Sequence, residues 1–154
     1  MNVDLQCRAL VLILLLWAVL SVYGQPEDVK YRYKKFLNQH FFIKMNEHIC
    51  DKEIGSRNIY IEDDGRQCKD TNTFIYSTSL NSVKQVCNNA GEKIIRDGKV
   101  YFRSLQPFPV ITCRLKSGVR PPHCEYRGTK STRYIEIGCD QGWPVHYDTD
   151  IVQV

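Results

Sequence analysis

Six of the seven cysteines fall between residues 50 and 139, and no two of them form a CxxC pair. The seventh, Cys7, sits in an N-terminal leader. That leader has a short polar start, Met1 to Arg8, an apolar run from Ala9 to Val22 containing Leu14-Leu15-Leu16-Trp17, and small residues in Ser21-Val22-Tyr23-Gly24. A run of about 14 residues is short of the ~20 that a membrane span needs, and no basic stop-transfer cluster follows it. The leader therefore reads as a signal peptide, residues 1–24, cut after Gly24, and residues 25–154 are expected to be one secreted domain. In an oxidising compartment an even set of cysteines predicts three disulfides, although six cysteines admit ~15 pairings and spacing does not choose among them. Without a CxxC pair, a structural metal site is the weaker use of these residues.

Loss of the leader removes Asp4 and Arg8 and leaves 20 basic against 16 acidic residues, so the net charge stays at +4. The length suits one domain. Between Lys30 and Met45, the residues Tyr33, Phe36, Leu37, His40, Phe41 and Lys44 share one helical face. A second, weaker helix begins near His48, and Ser79 to Cys87 reads as a short helix capped by Ser79. Beyond Ala90 the pattern becomes β-rich: Val100-Tyr101-Phe102, Val110 to Leu115, Cys124-Glu125-Tyr126 and Arg133 to Ile137. Turn signals at Asp97-Gly98, Lys116-Ser117-Gly118 and Arg127-Gly128 separate these runs. The fold class predicted is α+β, three short helices with a curved, mostly antiparallel sheet. No internal repeat, low-complexity segment or linker is visible.

Three separated segments carry candidate chemistry: Gln39-His40, Cys68-Lys69-Asp70-Thr71-Asn72-Thr73-Phe74, and Val145-His146-Tyr147-Asp148. Two imidazoles divide acid and base duties near neutral pH, because a free histidine titrates at about 6.5, and a lysine adds fixed positive charge. Together they are equipment for phosphoryl transfer. Taken singly, a histidine on an apolar helix face is more often a packing residue, and a lysine beside a cysteine is more often solvated. The joint pattern is what carries weight. The middle segment resembles the CKxxNTF signature of the secreted pancreatic-type ribonucleases, with His40 and His146 where that family keeps its catalytic pair. The resemblance runs from Lys34 to Asp148 and includes all six cysteines in order, and it is strongest to the angiogenin-like, fish-type branch.

That resemblance implies the pairing Cys50–Cys113, Cys68–Cys124 and Cys87–Cys139. It also implies a monomeric, metal-independent endoribonuclease without a cofactor, with RNA as substrate. His40 would be the general base toward the ribose 2′-hydroxyl and His146 the general acid toward the leaving oxygen, with Lys69 against the non-bridging oxygens. Gln39 would position the phosphate, Thr73 would read the pyrimidine, and Tyr147 would pack on the base. Asp148 would orient His146, Lys35 would contact a downstream phosphate, and Asp140 would meet the second base.

Departures from the digestive enzymes are informative. There are six cysteines rather than eight, Asn38 stands where those enzymes have arginine, and Tyr147 replaces a phenylalanine. The step from Cys139 to His146 is short, as in angiogenins, whereas Thr149 does not match the obstructing glutamine of that branch. Cys50 to Arg57 lacks its triple-arginine run. Two further roles follow from the resemblance and the basic charge: a signalling ligand whose Asn88 to Lys93 surface meets a cell-surface receptor, and a cationic protein acting on anionic bacterial membranes. His48 and His123 match no functional position.

Overall fold

The computed structural model describes residues 3–22 and 27–152. The N-terminal segment forms α1 (Val3–Val22), with Leu10 to Trp17 exposed, and no described helix is long and apolar enough to cross a membrane. The cut expected after Gly24 lies outside the described residues.

α2 (Glu27–His40) opens with Glu27 and Asp28, which complement the positive end of the helix dipole, and buries Val29, Phe36 and His40 on one face. It ends at His40 rather than Met45, because Phe41 leaves the helix to make a parallel bridge with Ile75. α3 (Cys50–Ser56) begins two residues past His48. α4 (Leu80–Gln85) is capped as expected: the Ser79 hydroxyl accepts from the Ser82 amide at 3.1 Å.

The strands are β1 (Ile61–Glu62), β2 (Arg66–Gln67), β3 (Thr71–Ile75), β4 (Gly91–Arg96), β5 (Lys99–Ser104), β6 (Phe108–Ser117), β7 (Glu125–Asp140) and β8 (Trp143–Val152). β1 and β2 pair with each other, while the main sheet runs β3-β6-β7-β5-β4 with β8 on β7, every strand pairing antiparallel. Asp97 and Gly98, both at positive φ, close the β4–β5 hairpin, the backbone that a tight two-residue turn demands.

One expected turn is absent. Arg127-Gly128 lies inside β7, where Gly128 pairs with Cys113. The glycine is needed for packing: a Cβ there would sit 2.2 Å from the Glu47 carbonyl oxygen. Glu125 to Asp140 is therefore one continuous strand rather than two strands and a loop. β3, β4 and β8 carried too few apolar residues in alternation to be read as strands.

Two cores flank the sheet. Phe36, Val83, Val86, Ile75, Val110, Ile135 and Ile137 join α2 and α4 to one side, while Met45, Ile54, Ile59, Phe74, Ile111 and Tyr126 pack α3 on the other. β3 feeds both through the adjacent Phe74 and Ile75, as the period of a strand dictates. Each such side chain contributes about 1.5–3 kcal/mol on burial. The disulfides are Cys50–Cys113, Cys68–Cys124 and Cys87–Cys139, as the resemblance implied, with sequence separations of 63, 56 and 52. Loops of this size are worth about 4 kcal/mol each in the chain-entropy account.

Candidate functional site

The last turn of α2 places His40 against β3, where its Nδ1 lies 2.9 Å from the Thr73 carbonyl oxygen. A carbonyl only accepts, so Nδ1 carries the hydrogen and Nε2 is left as the free, basic nitrogen. The ring is buried, tilted against Phe36 and stacked on Tyr147 with centroids 4.9 Å apart. Burial and the positive charges of Lys69 and His146 push its pKa down from 6.5 to about 3, against the opposing pull of the Thr73 hydrogen bond.

Lys69 precedes β3 and is fixed at both ends. Its carbonyl accepts from the Tyr126 hydroxyl at 2.7 Å, and its ammonium donates to Asn72 Oδ1 at 2.9 Å. Asn72, itself buried, donates through Nδ2 to the Gln39 carbonyl at 2.8 Å. One amide thus ties the lysine to the residue preceding His40. Burial lowers the Lys69 pKa, and the nearby Lys35 lowers it further. Asn72 was inside the recognised signature, yet its cross-linking role was not read from it.

β8 supplies the third element. Register shifts against β7 leave Val145 and Asp148 out of the Cα pairing on either side of His146 and Tyr147, which pair with Gly138 and Ile137. Bulges of this kind bend a strand and re-aim its side chains. Tyr147 turns inward onto His40, while the His146 side chain is 60% exposed, with Nε2 3.6 Å from Asp148 Oδ1. Asp148 is also gripped by Arg96, whose Nη1 donates at 2.6 Å. Arg96 in turn donates to Glu136, as does Arg103, and the Glu136 side chain has no exposure at all. Burial alone would raise the Glu136 pKa, but the two guanidiniums overcome it and hold the carboxyl below its ordinary value.

Thr73 and Tyr147 meet at a carboxylate that the sequence did not single out. Asp150 Oδ2 accepts from the Thr73 hydroxyl at 3.4 Å and from the Tyr147 hydroxyl at 3.0 Å, and Arg133 pairs with its other oxygen at 3.1 Å. Burial and the Asp150 charge raise the Tyr147 pKa, so the phenol stays protonated.

The structure therefore gathers His40, Lys69, Gln39, Thr73 and Tyr147 around one region, with His146 and Asp148 at its rim. Lys35 is exposed on α2 near Lys69. Asp140 is taken up in an ion pair with Arg32, which also reaches Asp28. Asn38 donates to the Arg57 carbonyl, so it serves packing. Among the described residues no three His, Cys, Asp or Glu side chains gather as a metal-ligand set.

Comparison with known proteins matches residues 31–148 to the family model described as pancreatic ribonuclease. The chain is 42% identical to ribonuclease-like 3 of Danio rerio over 147 residues, 96% of this chain and 97% of the relative. It is 38% identical to angiogenin-4 of Mus musculus, covering 79% of this chain and 80% of that protein. Among solved structures, zebrafish RNase5 superposes with a TM-score of 0.74 at 48% identity, covering 81% of this chain and 98% of the other.

Proposed function

This chain belongs to the pancreatic ribonuclease family, and from that premise we propose that it cleaves RNA 3′ of pyrimidines by metal-independent transphosphorylation. His40 Nε2 takes the proton of the ribose 2′-hydroxyl, whose oxygen attacks phosphorus. The bond from phosphorus to the 5′-oxygen breaks, and His146 protonates that oxygen. The products are a 2′,3′-cyclic phosphate and a free 5′-hydroxyl. In the second step water replaces the hydroxyl, the imidazoles exchange duties, and the ring opens to a 3′-phosphate. Each proton transfer contributes about 10²–10⁴-fold.

Lys69 carries positive charge to the non-bridging oxygens, where negative charge grows most. Gln39 positions the phosphate, Thr73 reads the base, and Tyr147 packs on it. Asp148 orients His146 and Lys35 meets a downstream phosphate through a salt-dependent contact. Asp140 faces the second base once it exchanges Arg32 for that ligand. The active form is residues 25–154, secreted as a monomer after loss of the leader.

The observation that carries this reading is the His40–Thr73 hydrogen bond: it commits Nδ1 and leaves Nε2 basic in a buried spot that also feels Lys69 and His146. The test is cleavage of UpA and ApU across pH with and without a chelator. The expected result is a bell-shaped profile, chelator resistance and preference for UpA. His40→Ala and His146→Ala should each abolish turnover while the circular dichroism spectrum of the folded protein is retained, His40→Ala melting at a lower temperature because its ring is buried. Full inhibition by the chelator refutes the mechanism.

The likeness to an angiogenin favours a second reading, a signalling ligand whose exposed Asn88, Asn89 and Lys93 engage a cell-surface receptor. Loss of vessel growth on altering residues 88–93 with turnover preserved would favour it. Killing of bacteria that survives both histidine substitutions would instead favour action on anionic membranes.

A further inference from the structure

The acid–base pair and the phosphate contacts are indifferent to which pyrimidine is cleaved. That choice falls on the edge of the base, and it rests on the reading of Thr73 given above. Uracil presents an N–H at N3, and cytosine presents a lone pair there. A threonine hydroxyl has one hydrogen to give and two lone pairs to receive with, so an unconstrained Thr73 serves both bases.

In this protein the hydroxyl is constrained. A carboxylate only accepts, so in the Thr73–Asp150 hydrogen bond the threonine must donate. Asp150 is not free to drift away: Arg133 binds its Oδ1 at 3.1 Å, the Tyr147 hydroxyl binds Oδ2 at 3.0 Å, and the Asp150 and Arg133 side chains are only 15% and 24% exposed. The Thr73 residue is itself 5% exposed, and the other acceptor beside its hydroxyl is the Tyr147 oxygen, whose own hydrogen goes to Asp150, so the threonine hydrogen is held within the protein. With that hydrogen committed to Asp150, the hydroxyl offers only lone pairs to a base. Lone pairs suit the N3–H of uracil and face the N3 lone pair of cytosine.

We infer that Asp150 is a specificity-determining residue that biases the site toward uracil by holding the Thr73 hydroxyl as an acceptor. Asp150 need not touch the nucleotide; it acts through the orientation of one hydrogen. To bind cytosine, Thr73 must break its bond to Asp150 and turn, leaving a buried carboxylate one donor short. One hydrogen bond gained or lost at such a position corresponds to about a tenfold change in relative rate.

The test is kcat/KM for UpA and CpA in the wild-type protein, in Asp150→Ala and in Asp150→Asn, with 3′-UMP and 3′-CMP binding measured by calorimetry on the same samples. The UpA-to-CpA ratio should fall about tenfold in Asp150→Ala, chiefly through a gain on CpA, and the ratio of nucleotide affinities should move the same way. Asp150→Asn keeps a carbonyl acceptor and the shape of the side chain, so it should retain most of the uracil bias. If Asp150→Ala raises or lowers both substrates together and leaves the ratio unchanged, Asp150 is only a plug or a prop and the inference is overturned. Failure of the wild-type protein to cleave either substrate would instead remove the ribonuclease reading, and the inference with it.

Discussion

Glu136 presents a sharp energetic question, because it is a carboxylate with no exposed side-chain surface in the middle of β7. Ile135 and Ile137 on either side of it go to the apolar core, so strand alternation sends Glu136 to the opposite face. There Arg103, directly across in the register, donates at 3.0 and 2.8 Å, and Arg96 donates from the neighbouring hairpin. The aliphatic stems of the two arginines supply cover while their heads remain partly in water.

Replacing Glu136 with Gln keeps volume and one acceptor but leaves two guanidiniums facing a neutral group. Breaking a fully buried pair costs roughly 3–5 kcal/mol. Here Arg96 and Arg103 are 42% and 36% exposed, so both can turn toward solvent, and a discounted figure of about 2 kcal/mol is appropriate. For a domain of this size that is a loss of about 6–8 °C in Tm at pH 7. The sign with pH is fixed. A carboxyl lowered in the folded state contributes stability above its unfolded value, about 4.3, and loses it as pH falls through the folded value. Thermal melts of wild-type and Glu136→Gln protein should therefore differ fully at pH 7, and the gap should begin to close as pH falls below about 4.3. An equal Tm at pH 7, or a deficit that persists unchanged at pH 3, would refute the argument by showing that the charge pairing does not supply the stability.

Asn72→Ala removes the link between Lys69 and the Gln39 carbonyl, so kcat/KM should fall about tenfold with a loss of about 1–3 kcal/mol in denaturant unfolding; an unchanged kcat would show that Lys69 is positioned without it. His40 binds protons less readily folded than unfolded, so stability should fall as pH drops from about 6.5 toward 3, and the acid limb of kcat/KM should lie below 6.5; pH-dependent melts and rate profiles check both. Thr112 has a buried hydroxyl with no hydrogen-bond partner among the described residues, opposite Thr73 in the register, and Thr112→Val should therefore leave Tm unchanged or raise it by a few degrees; a clear drop would mean that the hydroxyl is satisfied.

Much of the fold and of the candidate site was written in local pattern. The apolar stripe of α2, the Ser79 cap, the Asp97-Gly98 turn and the segments around His40, Lys69 and His146 each depend on residues close together in the chain. What the sequence left unread was either polar or remote. β3 is the signature itself, Thr71-Asn72-Thr73-Phe74-Ile75, and its polar start hid a strand whose two faces serve two cores. Gly128 resembled a turn because glycine so often makes one, whereas here it admits the Glu47 backbone.

By itself, then, the sequence determined which chemical groups this protein owns and the order in which the chain presents them. Tertiary structure alone decided how those groups are tuned. Asp150 reaches Thr73 across 77 residues, Arg96 reaches Glu136 across 40 and Asp148 across 52. Such partners carry no local periodicity or motif, and they acquire meaning only when sheet register and burial bring one charge beside another.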